Sequence, residues 1–229
     1  MTAAAAEVPF GNYHEAIGIP RAEQIRQAEE AGSTNGVRII NGQPAQLGQF
    51  PHMGGLVISL ASGFTSVCGS SLISNTKLVT AAHCWFDGTS YALSFTVVLG
   101  STTVFTGGVR VLTSDVVIHP EYETFSYNND IAVITIPRVE FTSVIQPVNL
   151  AGGSNDFAGE WATASGFGLT FDGGSISPTL NFATLRVISN TECAAVYGPF
   201  VIIPSTLCTS GEERNVCTSD SGGPLTIGN

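Results

Sequence analysis

After Arg38 the chain is built of short apolar runs separated by turn residues, and this spacing restricts the folds open to it. Runs such as Leu56–Leu60 and Phe95–Leu99 are too short for ordinary helices. They recur about every 8–15 residues without long helical periods between them, which predicts an all-β sandwich or barrel. The other predicted strands are Leu72–Ile73, Lys77–Thr80, Val109–Leu112, Val116–His119, Ile131–Ile136, Ala162–Ala164, Ala183–Ile188 and Val201–Ile203.

The residues before Arg38 have a different character. From Pro20 to Ala31 the sequence predicts a short helix, because proline suits the first helical turn and small or apolar residues follow at helical spacing. Gly32 is the predicted stop, and the Gly-Ser-Thr-Asn-Gly stretch that it begins is expected to be an exposed linker open to a protease. A proline-punctuated stretch, Pro137 to Leu150, is the best candidate for a linker between two halves.

Composition excludes several classes of function. Charged residues make up 11% of the chain and hydrophobic residues 43%, which is typical of a folded protein. The net charge of −10 argues against nucleic acid and acidic membranes as partners, because phosphate contacts need clustered basic residues. No apolar run approaches the ~20 residues of a membrane span. Lys77 is the sole lysine, a scarcity that either drift or life among trypsin-like proteases or at alkaline pH would explain.

Three local motifs carry candidate chemistry. They are Leu-Val-Thr-Ala-Ala-His-Cys ending at Cys84, Asn-Asn-Asp-Ile-Ala-Val-Ile around Asp130, and Cys-Thr-Ser-Asp-Ser-Gly-Gly-Pro around Ser221. Taken singly, His83 could be a packed histidine, Asp130 a turn residue and the serine part of a tight turn. Their occurrence together, in the order His, Asp, Ser, makes a nucleophilic catalytic site the better interpretation.

With these motifs the sequence resembles the chymotrypsin family of serine proteases, especially insect digestive members. The likeness runs from about Arg38 to Leu225 and extends to Arg-Ile-Ile-Asn-Gly at the start and Ser-Gly-Phe-Gly beginning at Ser165. The resemblance implies two six-stranded antiparallel β-barrels with the site in the cleft between them, the second barrel being incomplete. The implied division is a leader over residues 1–38, a first barrel over 39–143 and a second over 144–229.

The resemblance also implies the catalytic roles, which are those of the Ser-His-Asp template. Ser221 would be the nucleophile, His83 the general base and Asp130 the carboxylate that orients the imidazole. A serine hydroxyl is a weak nucleophile until a neighbouring base takes its proton, and histidine titrates near neutrality. Backbone N–H groups of Ser219 and Ser221 would form the oxyanion hole, although the family normally has glycine at the first of these positions. No cofactor and no metal are expected.

Activation is the next implication of the resemblance. Cleavage after Arg38 would free the amine of Ile39, which pairs with Asp220 in the family and orders the oxyanion loop. The expected activator is a trypsin-like enzyme. Asn215 corresponds to the base of the specificity pocket, and its neutral side chain favours chymotrypsin-like, elastase-like or collagenolytic preference over cleavage after Lys or Arg.

Five cysteines leave an odd thiol. The resemblance implies the disulfides Cys68–Cys84 and Cys193–Cys208, with Cys217 unpaired because its usual partner would follow Asn229. A metal site is the weaker interpretation, since no CxxC or clustered Cys/His spacing occurs. Disulfides predict a secreted protein, which leads us to expect a signal peptide before Met1. The unpaired Cys217 and the incomplete second barrel lead us to expect further residues after Asn229.

The expected partners are protein or peptide substrates, the activating protease and protein inhibitors of proteases, with the enzyme itself a monomer in the extracellular space, such as a gut lumen. The rival hypothesis is a non-catalytic serine protease homologue that acts as a binding or regulatory protein. The intact His83, Asp130 and Ser221 set argues against it, whereas Ser219 leaves it open.

Overall fold

A computed structural model describes residues 11–32, 43–153, 155–167, 179–210 and 221–228. Most of the ordered elements in these ranges are strands, as the spacing of apolar runs predicts. In chain order they are α1 Ile19–Glu30, β1 Gln43–Pro44, β2 Met53–Leu60, β3 Thr65–Leu72, β4 Lys77–Thr80, β5 Ala92–Leu99, β6 Val109–Thr113, β7 Val116–Ile118, β8 Ala132–Thr135, β9 Trp161–Gly166, β10 Asn181–Ile188, α2 Asn190–Tyr197, β11 Cys208–Thr209 and β12 Leu225–Ile227.

The first barrel comprises β2 to β8, hydrogen-bonded in the order β6-β5-β2-β3-β4-β8-β7. Its end strands β6 and β7 are the two arms of one bent strand, because only Ser114 and Asp115 separate them. At the bend Thr135 N–H donates to the Asp115 carbonyl (2.8 Å), and the Thr113 hydroxyl donates to the Thr135 carbonyl (2.7 Å). The bent strand therefore joins the two ends of the sheet, which gives the six-stranded closed barrel that the resemblance implies.

The barrel interior is filled by apolar side chains from all its strands. Phe95, Leu56 and Leu78 are fully buried there, as the alternation of apolar and polar residues in a closed barrel requires. Lys77 lies at the start of β4, where its ammonium donates to the Thr135 hydroxyl (2.7 Å) of the paired strand β8.

The second sheet runs β1-β10-β9-β12, with β11 also paired to β10. β1 precedes the first barrel in the chain, yet it pairs with β10, so the polypeptide contributes a strand to the second sheet before it forms the first barrel. β12 is the edge strand of the described sheet, and the exposed fractions of Leu225 and Ile227 on it are 40% and 39%.

Among the departures from the sequence predictions are two in and after α2. The predicted strand Val201–Ile203 is wrong: the segment is a turn after α2, in which Ile202 N–H donates to the Gly198 carbonyl (3.2 Å). Helix α2 itself is not among the predicted elements, although its sequence contains a capping box at the start of the helix. Ser189 Oγ accepts from the Glu192 N–H, and the Glu192 carboxylate accepts from the Ser189 N–H.

Residues 11–32, here termed the leader segment, pack against the first barrel. A π-helical turn over His14–Gly18 leads into α1, with Pro20 in the first turn of that helix, and the chain leaves the helix at Gly32 (φ 58°). The helix matches the predicted one closely. Its buried residues Ala22 and Ile25 share a core cluster with residues of both halves, namely Ala45, Met53, Val67, Val104, Phe167 and Leu180. Neither α1 nor α2 has the length and apolar character that a bilayer crossing demands.

Candidate active site

His83 and Asp130 form a polar pair joined by two contacts. The Nδ1 of His83 lies 2.6 Å from Oδ2 of Asp130, and the backbone N–H of His83 donates to Oδ1 (2.8 Å). One carboxylate therefore holds both the ring and the backbone of the same residue. The His83 side chain is 11% exposed and that of Asp130 19% exposed, so water competes little for this contact.

The strand pairing explains why these two residues meet. His83 lies in a 3₁₀ turn, Ala82–Cys84, just after β4, and Asp130 lies just before β8. Because β4 and β8 are antiparallel, with Thr80 opposite Ala132, the end of one strand adjoins the start of the other. The disulfide Cys68–Cys84 ties the 3₁₀ turn to β3. The histidine is thus held by the sheet, the carboxylate and the disulfide together.

Aromatic rings flank the His83 imidazole. The ring centroid of Tyr13 lies 4.5 Å away, and that of Tyr127 lies 5.5 Å away in an edge-on arrangement. Tyr127 has a φ of 55°, which is uncommon for a bulky side chain and marks a constrained loop before Asp130. Burial, aided by the nearby Asp130 carboxylate, raises the pKa of Tyr122 well above its usual range. Burial likewise raises the pKa of Tyr127, so the phenols of Tyr122 and Tyr127 stay neutral near pH 7.

The loop that carries Ser221 lies against the first barrel. The Ser221 carbonyl accepts from Gly69 N–H (2.8 Å) in β3 and is 3.9 Å from the sulfur of Cys84, next to His83. Gly222 has a φ of 77°, and a Cβ there would lie 2.2 Å from the Thr80 hydroxyl. This close approach requires glycine. The contact brings the nucleophile predicted from the third motif to the side of the barrel that carries the histidine.

The Nε2 atom of His83 is nevertheless buried without a hydrogen-bond partner in the described structure. The imidazole is oriented as a general base requires, but its second nitrogen is not bonded to the Ser221 hydroxyl. The described chain therefore has a formed histidine–carboxylate pair and a nearby serine that is not engaged with it.

Cys68, His83 and Cys84 are the group of possible metal ligands found within the described ranges. Their ligand atoms lie within 4.8 Å of one another. The two sulfurs are bonded to each other, however, so neither supplies the thiolate that a metal would need. The group is a disulfide packed beside the histidine.

Several predicted site residues lie outside the described residues. They are Arg38, Ile39, Asn215, Cys217, Ser219 and Asp220. The second implied disulfide, Cys193–Cys208, is present and ties α2 to β11. Sequence reasoning missed Tyr13 and Tyr127 as neighbours of the site, because an isolated tyrosine in a loop gives no signal of what its ring will pack against.

The comparisons with known proteins agree with this geometry. The sequence profile of the family described as Trypsin matches residues 39–229. The chain belongs to the trypsin family of serine proteases. It is therefore a serine endopeptidase by family, of the chymotrypsin-like fold. The family match begins at Ile39, so the leader segment lies outside it.

Individual relatives of the trypsin family show how far the likeness extends. The chain is 39% identical to a collagenase of Hypoderma lineatum over 194 residues, which cover 83% of this chain and 72% of that protein. Identity to serine protease 1 of Drosophila melanogaster is 32% over 192 residues, covering 82% and 70% of the two chains. A solved structure of HL collagenase superposes with a TM-score of 0.74 at 39% identity, covering 82% of this chain and 81% of that one.

Proposed function

We propose that the protein is a secreted protease precursor that hydrolyses peptide bonds through an acyl-enzyme. Ser221 attacks the scissile carbonyl, His83 accepts and returns the proton, and Asp130 holds the imidazole in the correct tautomer. The observation that carries the proposal is the dual contact of the Asp130 carboxylate with the ring and the backbone of His83. That contact is what a base needs in order to present Nε2 to a nucleophile.

Residues outside the described ranges complete the proposal. Backbone N–H groups of Ser219 and Ser221 stabilise the oxyanion, and cleavage after Arg38 frees Ile39 to pair with Asp220. The start of the family match at Ile39 supports this cleavage site. Domain boundaries of 39–143 and 144–229 are part of the same proposal, as are a trypsin-like activator and protein inhibitors as partners. The two disulfides support secretion into an oxidising compartment.

Specificity is proposed from Asn215 at the pocket base. An uncharged base does not offset the desolvation of a bound Lys or Arg side chain. The enzyme therefore prefers large apolar residues, and collagenolytic activity like that in the name of one relative is within its range. A matched pair of chromogenic peptides ending in Phe or Arg tests this preference. A kcat/KM tenfold higher for the Arg peptide would overturn it.

Labelling of the nucleophile tests the catalytic mechanism itself. The protein is cleaved with trypsin, separated from the trypsin and from the released leader, and treated with a fluorophosphonate probe, which reacts with serine hydroxyls activated by a base. Ser221→Ala is expected to abolish labelling. Ser114→Ala, at the exposed barrel bend, is the matched control and is expected to leave labelling intact. An unlabelled wild-type protein would favour the non-catalytic homologue instead.

A further inference from the structure

The leader segment reaches the candidate site through Tyr13. This side chain is 3% exposed, and its ring lies against the His83 imidazole. Its hydroxyl donates to the Val67 carbonyl (2.9 Å) and lies 3.6 Å from the sulfur of Cys68. The tyrosine therefore occupies the surface formed by β3, the disulfide and the histidine.

The neighbours of Tyr13 fasten it in that position. His14 is fully buried, its backbone N–H donates to Oδ2 of Asp87 (2.8 Å), and its Nδ1 lies 2.8 Å from the Ser66 hydroxyl. The N–H of Gly11 donates to the Tyr127 hydroxyl (3.4 Å). The leader segment is thus hydrogen-bonded to Asp87 and Ser66 and, separately, to Tyr127, whose ring lies beside that of His83.

Helix α1 supplies a second anchor. Its residues Ala22 and Ile25 are buried in the core cluster shared by both halves. The carboxylate of Glu29 accepts hydrogen bonds from the backbone N–H of Val104 (2.7 Å), the backbone N–H of Phe105 (3.1 Å) and the hydroxyl of Thr106 (2.9 Å). Such charge-assisted bonds are stronger than neutral ones, which makes this end of the leader segment a defined docking point.

These contacts have a consequence for catalysis. A general base must come within about 3 Å of the proton that it takes, and substrate atoms must reach the same space. The Nε2 of His83 is buried and unpartnered, and the Tyr13 ring, which its hydroxyl fixes to the Val67 carbonyl, packs against the imidazole with the ring centroids 4.5 Å apart. A substrate could approach this nitrogen only after the ring had moved away.

We propose that the leader segment is an inhibitory peptide of its own protease, with Tyr13 as the blocking residue. This inference rests on the proposed function. Residues 1–38 contain no cysteine, so none of them forms a disulfide that would retain the leader segment once the chain is cut after Arg38. Full activity therefore needs two events, cleavage of the chain and dissociation of the fragment. The same surface binds any free peptide that has the sequence of residues 11–32.

The test uses a synthetic, dye-labelled peptide of residues 11–32 and trypsin-cleaved protein from which the trypsin and the leader have been removed. Trypsin must be absent because the peptide contains Arg21 and Arg26. Fluorescence anisotropy on cleaved Ser221→Ala protein reads binding without hydrolysis. The rate of fluorophosphonate labelling of cleaved wild-type protein, with and without peptide, reads inhibition.

Two peptide variants target the blocking contact. Tyr13→Ala removes the ring over His83 and is expected to bind at least ~10-fold more weakly and to leave labelling unblocked at matched occupancy. In Gly18→Ala the new Cβ would lie 1.9 Å from the Ser66 hydroxyl that contacts His14. Alanine favours helix in the free peptide, so a loss of binding in this variant reports the clash and not a loss of helix.

A third pair of peptides tests the helix anchor with a matched control. Glu29→Ala removes the acceptor of three donor groups and is expected to weaken binding roughly 10-fold or more. Glu30→Ala removes an adjacent exposed carboxylate, 3.8 Å from Arg26, and is expected to change affinity less than ~3-fold.

The outcomes separate the two proposals. Tight binding of the wild-type peptide together with slower labelling supports the inhibitory role. Binding without any change in labelling, or no binding at all, overturns it. If cleaved wild-type protein is never labelled while the peptide still binds Ser221→Ala protein, the proposed catalytic function fails and the leader-binding surface is supported.

Discussion

The two halves of the molecule differ in how they hold their share of the candidate site. The first barrel is closed and contains both His83 and Asp130, each fixed by contacts made within that barrel. The second sheet is open in the described chain, and it contributes Ser221 from a loop. The carbonyl of that serine contacts β3 and Cys84 of the first barrel.

This difference separates two requirements of a triad. Orientation of the base by the carboxylate depends on one half alone. Delivery of the nucleophile depends on how the loop before β12 packs on the other half. The base is therefore pre-organised, whereas the position of the nucleophile depends on how its loop docks.

The largest effect is expected from Asp130→Asn, which breaks the pre-organised pair. The amide favours the wrong imidazole tautomer, and the same exchange in the Ser-His-Asp template lowers kcat about 10⁴-fold, so we expect a loss of that order. KM should change little. Steady-state kinetics on a chromogenic peptide measure both quantities. A loss below ~10-fold would show that the carboxylate contact is not catalytic.

Gly222→Ala tests the docking of the nucleophile loop. Its Cβ would lie 2.2 Å from the Thr80 hydroxyl and 2.6 Å from the Gly69 carbonyl, so the loop must move. A displacement of about 1 Å can cost ~100-fold in rate, and we expect a loss of that order in kcat/KM. The control is Gly228→Ala, which has a similar φ of 79° but no atom within 4 Å of the new Cβ. Equal losses would assign the effect to backbone strain.

Acid should loosen the leader segment from the first barrel. Burial lowers the pKa of His14 from 6.5 to about 4, with Asp87 and His83 as the charged or titratable groups that face it. The free peptide binds a proton below 6.5 and the docked one only near 4, so docking is strongest above 6.5 and weakens as the pH falls from 6.5 to 4.

We expect roughly 10- to 20-fold weaker binding of the peptide of residues 11–32 at pH 5 than at pH 7. Anisotropy titrations at several pH values measure this slope. A His14→Gln peptide cannot take up that proton and should show a flatter profile. The same slope for both peptides would assign the dependence to another group.

The smallest effect is expected in the segment that joins the halves. Arg138 and Glu140 form an exposed ion pair with a separation of 3.4 Å. Because such pairs contribute ~0–1 kcal/mol, Glu140→Ala should change neither kcat/KM nor the midpoint of urea unfolding measurably. A clear loss of activity would mean that the halves communicate through this segment as well as through the Ser221 loop.

Much of the fold could be predicted because local pattern and tertiary structure agree in the first barrel. Lys77–Thr80 is a strand in both the prediction and the structure. Most of β3 was missed because Ser66, Gly69, Ser70 and Ser71 lack strand-forming side chains and are buried by their neighbours. Val201–Ile203 failed for the converse reason: a β-type composition follows a capped helix and forms the turn after it.

The candidate site divides in a similar way. The motifs around His83, Asp130 and Ser221 could be recognised in the sequence because their residue types are rarely found together without a shared chemistry. The contacts of the leader segment could not be predicted, since nothing in a Tyr-His dipeptide indicates which distant surface it will contact. The requirement for glycine at position 18 could not be predicted either, because it arises from the tertiary contact with Ser66, whose hydroxyl a Cβ would meet.

The single lysine, Lys77, makes the protein well suited to labelling of its α-amine. As the sole lysine it is the one side-chain primary amine, and its hydrogen bond to Thr135 holds it against β8. Side-chain amines therefore compete very little with an α-amine for an amine-reactive reagent. An α-amine created at Ile39 can be counted directly by mass spectrometry after acylation, and its later protection from the reagent would time its withdrawal into the interior, independently of any substrate.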